Sequence, residues 1–296
     1  MTELEAMKAW TAVLTRSTGL SPTDAVSEEL SQYSGLPPDE VRKIAKSSSK
    51  ITGQKWEEAD RSTPEGLNAF YQSVSNWVYG TLSYHARQAE GENTPLPVIT
   101  AAALDGVAPG EFLDFGAGVG TASLLFSGMG WRATAADVAQ PLLEFARWRF
   151  KEHNRDIPVI DLNKESLPEN RFDVVAAFNT MAHVPDIAAT VENLWRCLKP
   201  GGLLIFDIDT RKPSQKEGWH LLASHYPFLR VMRRSGFTLQ RTAGPMYIYK
   251  RNDRASQASR VYWHVRDGLR YSATADKLAN LRSRSIHKIR SIAGRA

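Results

Sequence analysis

The sequence predicts an α/β fold in which helices cover a mostly parallel sheet of seven strands. Short apolar runs alternate with helical patterns from about residue 109 to about residue 250. Runs that are apolar on both faces are typical of parallel strands buried between helices. The first run, EFLDFGAGVG at 111–120, breaks into a glycine-rich turn that leads into a helix. These observations indicate repeated β-α units that form one sheet.

Residues 1 to about 95 precede this region and predict helices. Apolar residues recur at helical spacing from Leu4 to Leu14, and Ser21 followed by proline and Asp24 is typical of a helix start. Another helix is expected from Pro37, and one more from Ser62 through Val78. The last of these is rich in aromatic residues, which either pack in a helical bundle or line an acceptor pocket: Tyr71, Trp77, Tyr79 and Tyr84.

The β-α region predicts its strands and helices in regular succession. The expected strands are 111–115, 132–137, 158–161, 172–178, 203–208, 237–241 and 246–250. The expected helices are 121–129, 142–153, 187–198 and 228–234. The single cysteine, Cys197, falls on the inner face of a predicted helix, so we expect a packed core thiol.

The glycine-rich turn indicates a nucleoside or nucleotide site. A dinucleotide-binding turn places its third glycine five residues after the first, but that position is Thr121 here and the third glycine is Gly120. An acid, Asp137, ends the next strand, where a carboxylate accepts hydrogen bonds from ribose hydroxyls. The turn lacks the lysine of a phosphate-binding P-loop. A nucleoside pocket is therefore expected at the carboxyl ends of these strands.

Five motifs in this order resemble the class I S-adenosylmethionine-dependent methyltransferase family. They are DFGAGVG (114–120), the strand-end Asp137, DLNKESLP (161–168), FDVVAAFNTMAHVPD (172–186) and LKPGGLLIF (198–206). The resemblance implies a Rossmann-like fold with S-adenosyl-L-methionine as cofactor. The resemblance covers roughly residues 109–250. With the helical pattern before this region and the basic, helical pattern after it, we expect a helical N-terminal lid (1–108), a cofactor-binding core (109–252) and a basic, helical C-terminal extension (253–296). The implied activity is methyl transfer to an oxygen or nitrogen of a small-molecule acceptor, such as a natural product, a sugar or another metabolite. The alternatives are an RNA or lipid methyltransferase that uses the basic tail, and a cofactor-binding scaffold without transfer activity.

The resemblance also implies roles for individual residues. The methionine part of the cofactor would lie against the glycine turn, the ribose at the end of the second strand, and the adenine at the end of the third. The sulfonium would lie near the end of the fourth strand, and a tyrosine would come from the helices before the core. The implied cofactor contacts are Asp114, Gly116, Gly118 and Gly120; Asp137; Asp161 and Leu162; Asn179 and Thr180; and Tyr71.

His183 is the candidate general base, because it follows the fourth strand at the same edge of the sheet. The alternative is that His183 only packs or caps the loop before Pro185. His85, His220 and His225 are weaker candidates for the base. We expect at least one of Asp207 and Asp209 to cap a neighbouring segment instead of facing the acceptor. The seven histidines and one cysteine show no zinc-ligand spacing, so no metal is expected.

Charge and composition bear on the partners of the protein. The chain has a net charge of +5, but residues 250–296 contain twelve Lys and Arg against three Asp, so the rest carries −4. This basic tail is a solvated arm, or it docks an anionic acceptor such as RNA or a membrane lipid. Residues 28–46 resemble a helix-turn-helix, yet residues 1–62 hold eight basic and ten acidic residues, a poor match for phosphate. Nucleic acid is therefore left open but not favoured.

The sequence also bears on location. No apolar run approaches the length of a membrane span, and the first residues lack the apolar core of a signal peptide. We expect a cytoplasmic enzyme. The sequence indicates neither the acceptor nor the oligomeric state.

Overall fold

The computed structural model describes residues 1–16, 18–209, 226–253 and 261. Two expectations fall largely outside these residues: the proposed lid segment 211–227, with His220 and His225, and the basic tail.

The N-terminal helices are α1 (Glu3–Thr15), α2 (Pro22–Ser34), α3 (Pro38–Glu58), α4 (Pro64–Ser73), α5 (Trp77–Ala89) and α6 (Leu96–Ala103).

Strands and helices then alternate as the sequence predicts. The strands are β1 (Glu111–Phe115), β2 (Arg132–Asp137), β3 (Val159–Asp161), β4 (Phe172–Ala177), β5 (Leu198–Phe206), β6 (Phe237–Ala243) and β7 (Met246–Arg251). The helices are α7 (Thr121–Gly128), α8 (Gln140–Glu152), α9 (Ile187–Cys197) and α10 (Tyr226–Arg234), with a short 3-10 helix at Met181–His183. The predicted sheet of seven strands is confirmed, and element ends differ from prediction by a few residues.

The strand order in the sheet is β3-β2-β1-β4-β5-β7-β6. The first five strands of this order run parallel, and β7 lies antiparallel to both β5 and β6. The chain passes from β1 to one side of the sheet and returns through β4 on the other side. The order therefore reverses between β1 and β4, and the carboxyl ends of these two strands are where open α/β sheets bind ligands.

The long helix predicted from Ser62 through Val78 is wrong, because the chain forms two helices there. The break lies at Asn76, whose side-chain amide donates to the Ser48 carbonyl at 3.0 Å and to the Thr52 hydroxyl at 2.8 Å. The Asn76 carbonyl accepts from the Ser48 hydroxyl at 2.8 Å. These bonds to α3 hold the connection between α4 and α5 in a turn. As a result, α4 packs against α8 at the edge of the sheet.

The N-terminal helices and the sheet share one hydrophobic cluster. Trp10 and Leu30 from the helices belong to the same buried cluster as Phe112, Phe126 and Phe145 from the β-α region. The resemblance to a helix-turn-helix at 28–46 corresponds to α2, Gly35 and α3, and both of these helices pack against α5. The observed packing agrees with a helical hairpin of the lid, the interpretation that the charge of residues 1–62 favours over nucleic-acid binding.

Cys197 ends α9 and is fully buried, as expected for a core thiol. Burial raises the pKa of its thiol to about 12, so the group stays protonated at neutral pH. Among the described residues, no helix is both long and apolar enough to span a membrane.

Candidate active site

The glycine turn joins β1 to α7 and contains three residues with positive φ. Gly116, Gly118 and Gly120 have φ angles of +77°, +54° and +73°, which side chains of L-residues rarely adopt. A Cβ on Gly116 would lie 2.2 Å from Thr180 Oγ1, and one on Gly120 would lie 2.5 Å from the Phe150 ring. A Cβ on Gly118 would have no atom within 4 Å. Gly116 and Gly120 therefore permit close packing, whereas Gly118 borders open space.

Asp137 lies beside this opening. Its Oδ2 accepts a hydrogen bond from the Gly118 N–H at 2.8 Å, and its Oδ1 accepts from Val138 at 2.7 Å and Ala139 at 2.9 Å. Burial raises the pKa of Asp137, and the three backbone donors oppose that shift. The carboxylate thus joins the glycine turn to the start of α8, and Oδ2 keeps a lone pair for a further donor.

Asp114 is more deeply enclosed than the sequence suggests. It is 1% exposed, and its Oδ2 accepts a hydrogen bond from the Ser123 hydroxyl at 2.7 Å. Burial raises the pKa of Asp114 to about 7, although the hydrogen bonds from Ser123 act to lower it. Asp114 therefore ties the end of β1 to the first turn of α7.

This raised pKa gives a testable pH dependence. The native state binds the Asp114 proton more tightly than the unfolded state does, so the contribution of Asp114 to the free energy of unfolding falls as the pH rises from about 4 to about 7. We expect the difference in unfolding free energy between wild type and Asp114→Asn, measured by urea denaturation, to decline across that range. Asp173→Asn is the control, because the pKa of Asp173 is held below its usual range and its contribution is lost only at lower pH. A difference for Asp114→Asn that is constant with pH would contradict the prediction.

Asp161 ends β3 next to Asp137, and Leu162 follows it. Asp161 is engaged within its own loop, whereas Leu162 bonds to β2. Burial acts to raise the pKa of Asp161, but hydrogen bonds from Lys164 and Asn163 outweigh it and leave that pKa below its usual range. The Lys164 ammonium lies 2.8 Å from Asp161 Oδ2. The Leu162 N–H donates to the Asp137 carbonyl at 3.0 Å. An adenine ring at this place would therefore meet the side chain of Leu162 and not its amide.

The loop after β4 lies against the glycine turn, where Thr180 would contact a Cβ on Gly116. Asn179 has a φ of +52°, and its N–H donates to Asp207 Oδ1 at 2.7 Å. Asp207 is 5% exposed, and burial raises its pKa to about 6. Asp207 thus caps the loop that follows β4. His183 is half-buried at the end of the 3-10 helix, where its N–H donates to the Thr180 carbonyl at 2.9 Å.

Helix α4 brings Tyr71 to the same edge of the sheet. The Tyr71 hydroxyl is buried and has no hydrogen-bond partner among the described residues. Burial raises the pKa of Tyr71, and the charge of Asp137 adds to the shift, which places this phenol within electrostatic reach of that carboxylate. Beside it, Gln72 Nε2 donates to the Val138 carbonyl at 2.8 Å. Sequence reasoning missed Gln72, because its partner depends on how α4 docks.

The other described aromatic candidates and His85 contact residues of the protein itself, and Tyr79 packs against the hydrophobic cluster that the helices share with the sheet. Trp77 packs against Phe70 and Tyr71, and the Tyr84 hydroxyl bonds to Asn93 at 3.3 Å. His85 Nδ1 lies 2.9 Å from Thr121 Oγ1 at the start of α7. Burial and then the nearby Arg149 charge lower the pKa of His85 to about 3, so this imidazole is neutral.

The fold is an α/β fold of Rossmann-like topology, and its candidate site lies at the carboxyl ends of β1, β2 and β4. A family model for a methyltransferase domain matches residues 113–204. Ubiquinone biosynthesis O-methyltransferase from Xanthomonas oryzae pv. oryzae (strain PXO99A) is 31% identical over 162 residues, which cover 52% of this chain and 67% of that protein. The chain belongs to the class I S-adenosylmethionine-dependent methyltransferase family, which confirms the resemblance seen in the sequence and the cofactor that it implies.

Other similarities cover only parts of the proteins compared. The enzyme of the same name from Idiomarina loihiensis is 30% identical over 165 residues, and the match spans 64% of its length. The solved structure of phosphoethanolamine N-methyltransferase 2 from Haemonchus contortus shares 17% identity with a TM-score of 0.49, and covers 77% of this chain and 56% of that one.

Proposed function

We propose that the protein transfers a methyl group from S-adenosylmethionine to an oxygen or nitrogen of a small molecule. The observation that carries this proposal is the open space in front of Gly118, with Asp137 directly beside it. A glycine whose missing Cβ leaves room for a ligand, next to a buried carboxylate that retains acceptor capacity, suits an adenosyl group with its ribose hydroxyls.

The residues present fit this cofactor. Asp137 would accept a hydrogen bond from the ribose through Oδ2, and the backbone at Gly118 would approach the methionine part. The partnerless Tyr71 hydroxyl would gain a hydrogen-bond partner when the cofactor is bound, which removes the penalty for a buried polar group without one. Asn179 and Thr180 would border the sulfonium. Asp114, Gly116 and Gly120 would shape the turn that these contacts require.

The adenine is proposed to lie at the end of β3. Leu162 is partly buried against the apolar cluster that includes Ala136 and Val175, so its side chain offers an apolar surface to one face of the ring. Asp161 is occupied by Lys164 and Asn163. Its proposed role is therefore to hold this loop in place as well as to meet the adenine edge.

S-adenosylmethionine supplies a methyl group that its sulfonium charge already activates. The chain therefore has to align the acceptor, exclude water and take up one proton. His183 is proposed to take that proton, because it lies on the loop that also carries Asn179 and Thr180. The names of the relatives indicate transfer to oxygen in those proteins, which favours an oxygen acceptor here. The helices of 1–108 and the segment 211–227 are proposed to choose the acceptor.

The function is tested by a mass-shift screen. The purified protein is incubated with S-adenosylmethionine and a panel of phenolic, hydroxylated and amine metabolites, and singly methylated products are sought. Asp137→Ala is the inactive control. Methylated RNA or lipid in parallel reactions, with no methylated small molecule, would overturn the proposed acceptor class.

His183 has its own test once an acceptor is found. We expect His183→Asn to lower kcat by about 100-fold or more, because proton transfer by a positioned base contributes on that scale. The dissociation constant of S-adenosylhomocysteine, measured by calorimetry, is expected to stay within about twofold. Unchanged kcat in the variant would leave His183 with a packing role only.

A further inference from the structure

A cluster of charged and polar side chains lies buried against the glycine turn. At its centre is Arg149 of α8, which is 0% exposed. Its Nε donates to Glu29 Oε1 of α2 at 2.9 Å. Its Nη1 donates to the Val119 carbonyl at 3.2 Å and to Thr121 Oγ1 at 2.7 Å. One guanidinium thus contacts both residues that flank Gly120 and, at the same time, the N-terminal helices.

Two histidines complete the cluster. His153 Nε2 lies 3.0 Å from Glu29 Oε1, and His85 Nδ1 lies 2.9 Å from Thr121 Oγ1. Burial acts to raise the pKa of Glu29, but the charge of Arg149 and the hydrogen bonds from His153 and Arg149 hold that pKa below its usual range. Glu29 is therefore ionised and forms a buried ion pair with Arg149.

This ion pair is poorly arranged for stability alone. Glu29 Oε2 and Arg149 Nη2 are buried and have no hydrogen-bond partner among the described residues. A buried pair with unsatisfied atoms often stabilises a fold no better than well-packed apolar residues of similar size do. An apolar side chain cannot, however, donate to the Val119 carbonyl. What the guanidinium adds is control of the backbone in the glycine turn.

We propose that Arg149 is a positioning residue for the cofactor: it fixes the glycine turn through Val119 and Thr121, and Glu29 of α2 fixes Arg149. The inference rests on the proposed function, because it assumes that the cofactor lies at this turn. The proposal makes α2 part of the structure that sets cofactor affinity, because Glu29 of α2 holds Arg149 in place. The N-terminal helices then act on the cofactor as well as on the acceptor.

The test separates positioning from stability by replacing the whole pair. In Glu29→Leu/Arg149→Met, both buried charges give way to apolar side chains of similar length. We expect the melting temperature to stay within a few degrees of wild type, while the dissociation constant of S-adenosylhomocysteine rises about tenfold or more. Calorimetry is done well below both melting temperatures, so that unfolded protein does not contribute. A folded double variant that binds S-adenosylhomocysteine as wild type does would overturn the proposal.

Further variants make the outcome specific. Arg149→Lys keeps the charge but not the planar fork of donors, so we expect an affinity between those of wild type and Arg149→Met. Lys199→Met is the control, because Lys199 pairs with Asp173 at 2.7 Å at the opposite end of the strands. The affinity of this variant for S-adenosylhomocysteine should equal that of wild type. If the double variant does not fold, Thr121→Val decides: it removes one acceptor of Arg149, and an unchanged affinity would refute the proposal.

Asp137→Ala distinguishes this inference from the proposed function. If Asp137→Ala abolishes binding and the Arg149 variants bind normally, only the positioning role fails. If Asp137→Ala binds S-adenosylhomocysteine as wild type does, the cofactor does not lie at this turn and the proposed site fails as well.

Discussion

Replacing Asp137 with alanine is expected to weaken the binding of S-adenosylhomocysteine at least about 100-fold. The proposed hydrogen bond from the ribose to Asp137 Oδ2 would be lost, and a hydrogen bond to a charged group contributes about 1.5–3 kcal/mol. The change also removes the acceptor for the Gly118 N–H, so the turn loses its support at the point where it meets the ligand. Calorimetry with the full-length chain measures the effect.

A matched control shows whether the loss belongs to the site. Asp173 also accepts a backbone hydrogen bond, from Glu111 at 2.8 Å, but it lies at the opposite end of the sheet. Asp173→Ala should lower the free energy of unfolding and leave the affinity for S-adenosylhomocysteine within about twofold. Asp137→Asn keeps one oxygen acceptor and is expected to fall between wild type and Asp137→Ala. If a folded Asp137→Ala protein binds S-adenosylhomocysteine with an affinity within threefold of wild type, Asp137 does not bind the ribose.

The sheet and the glycine turn could be predicted from the sequence because their signals are local. Strands buried on both faces show as apolar runs, and the turn shows as three glycines at alternate positions because all three residues need positive φ. The strand-end position of Asp137 follows from the same local pattern. The pattern did not distinguish the two reasons for glycine at these positions. At Gly120 a Cβ would clash with Phe150, whereas at Gly118 a Cβ would enter open space.

The features that depend on distant contacts could not be predicted. The break before α5 exists because Asn76 bonds to α3, and nothing within the local pattern marks it. Arg149 reads as an ordinary charged residue of an amphipathic helix, yet it pairs with Glu29, 120 residues away. The docking of Gln72 on Val138 likewise requires α4 to be in place. Such contacts join the lid to the cofactor site, so the sequence indicated two regions where the structure has one shared core.

The same substitution is expected to affect mainly stability at Gly120 and mainly cofactor affinity at Gly118. Gly120→Ala places a methyl group about 2.5 Å from the buried Phe150 ring at a φ of +73°. Overpacking and the unfavourable φ together should lower the free energy of unfolding by about 2–4 kcal/mol. Gly118→Ala meets no atom within 4 Å, so only its φ of +54° is penalised, by about 1–2 kcal/mol. Urea denaturation measures both.

Affinity should show the reverse order. The methyl group of Gly118→Ala would occupy the space proposed for the cofactor, so we expect its affinity for S-adenosylhomocysteine to fall about tenfold or more in a protein that remains folded. Phe150→Leu combined with Gly120→Ala relieves the clash and should recover part of the lost stability, because Leu leaves more room beside the new methyl group. If Gly118→Ala binds S-adenosylhomocysteine as wild type does, the cofactor does not occupy the open space in front of the turn, because the new methyl group would lie in that space.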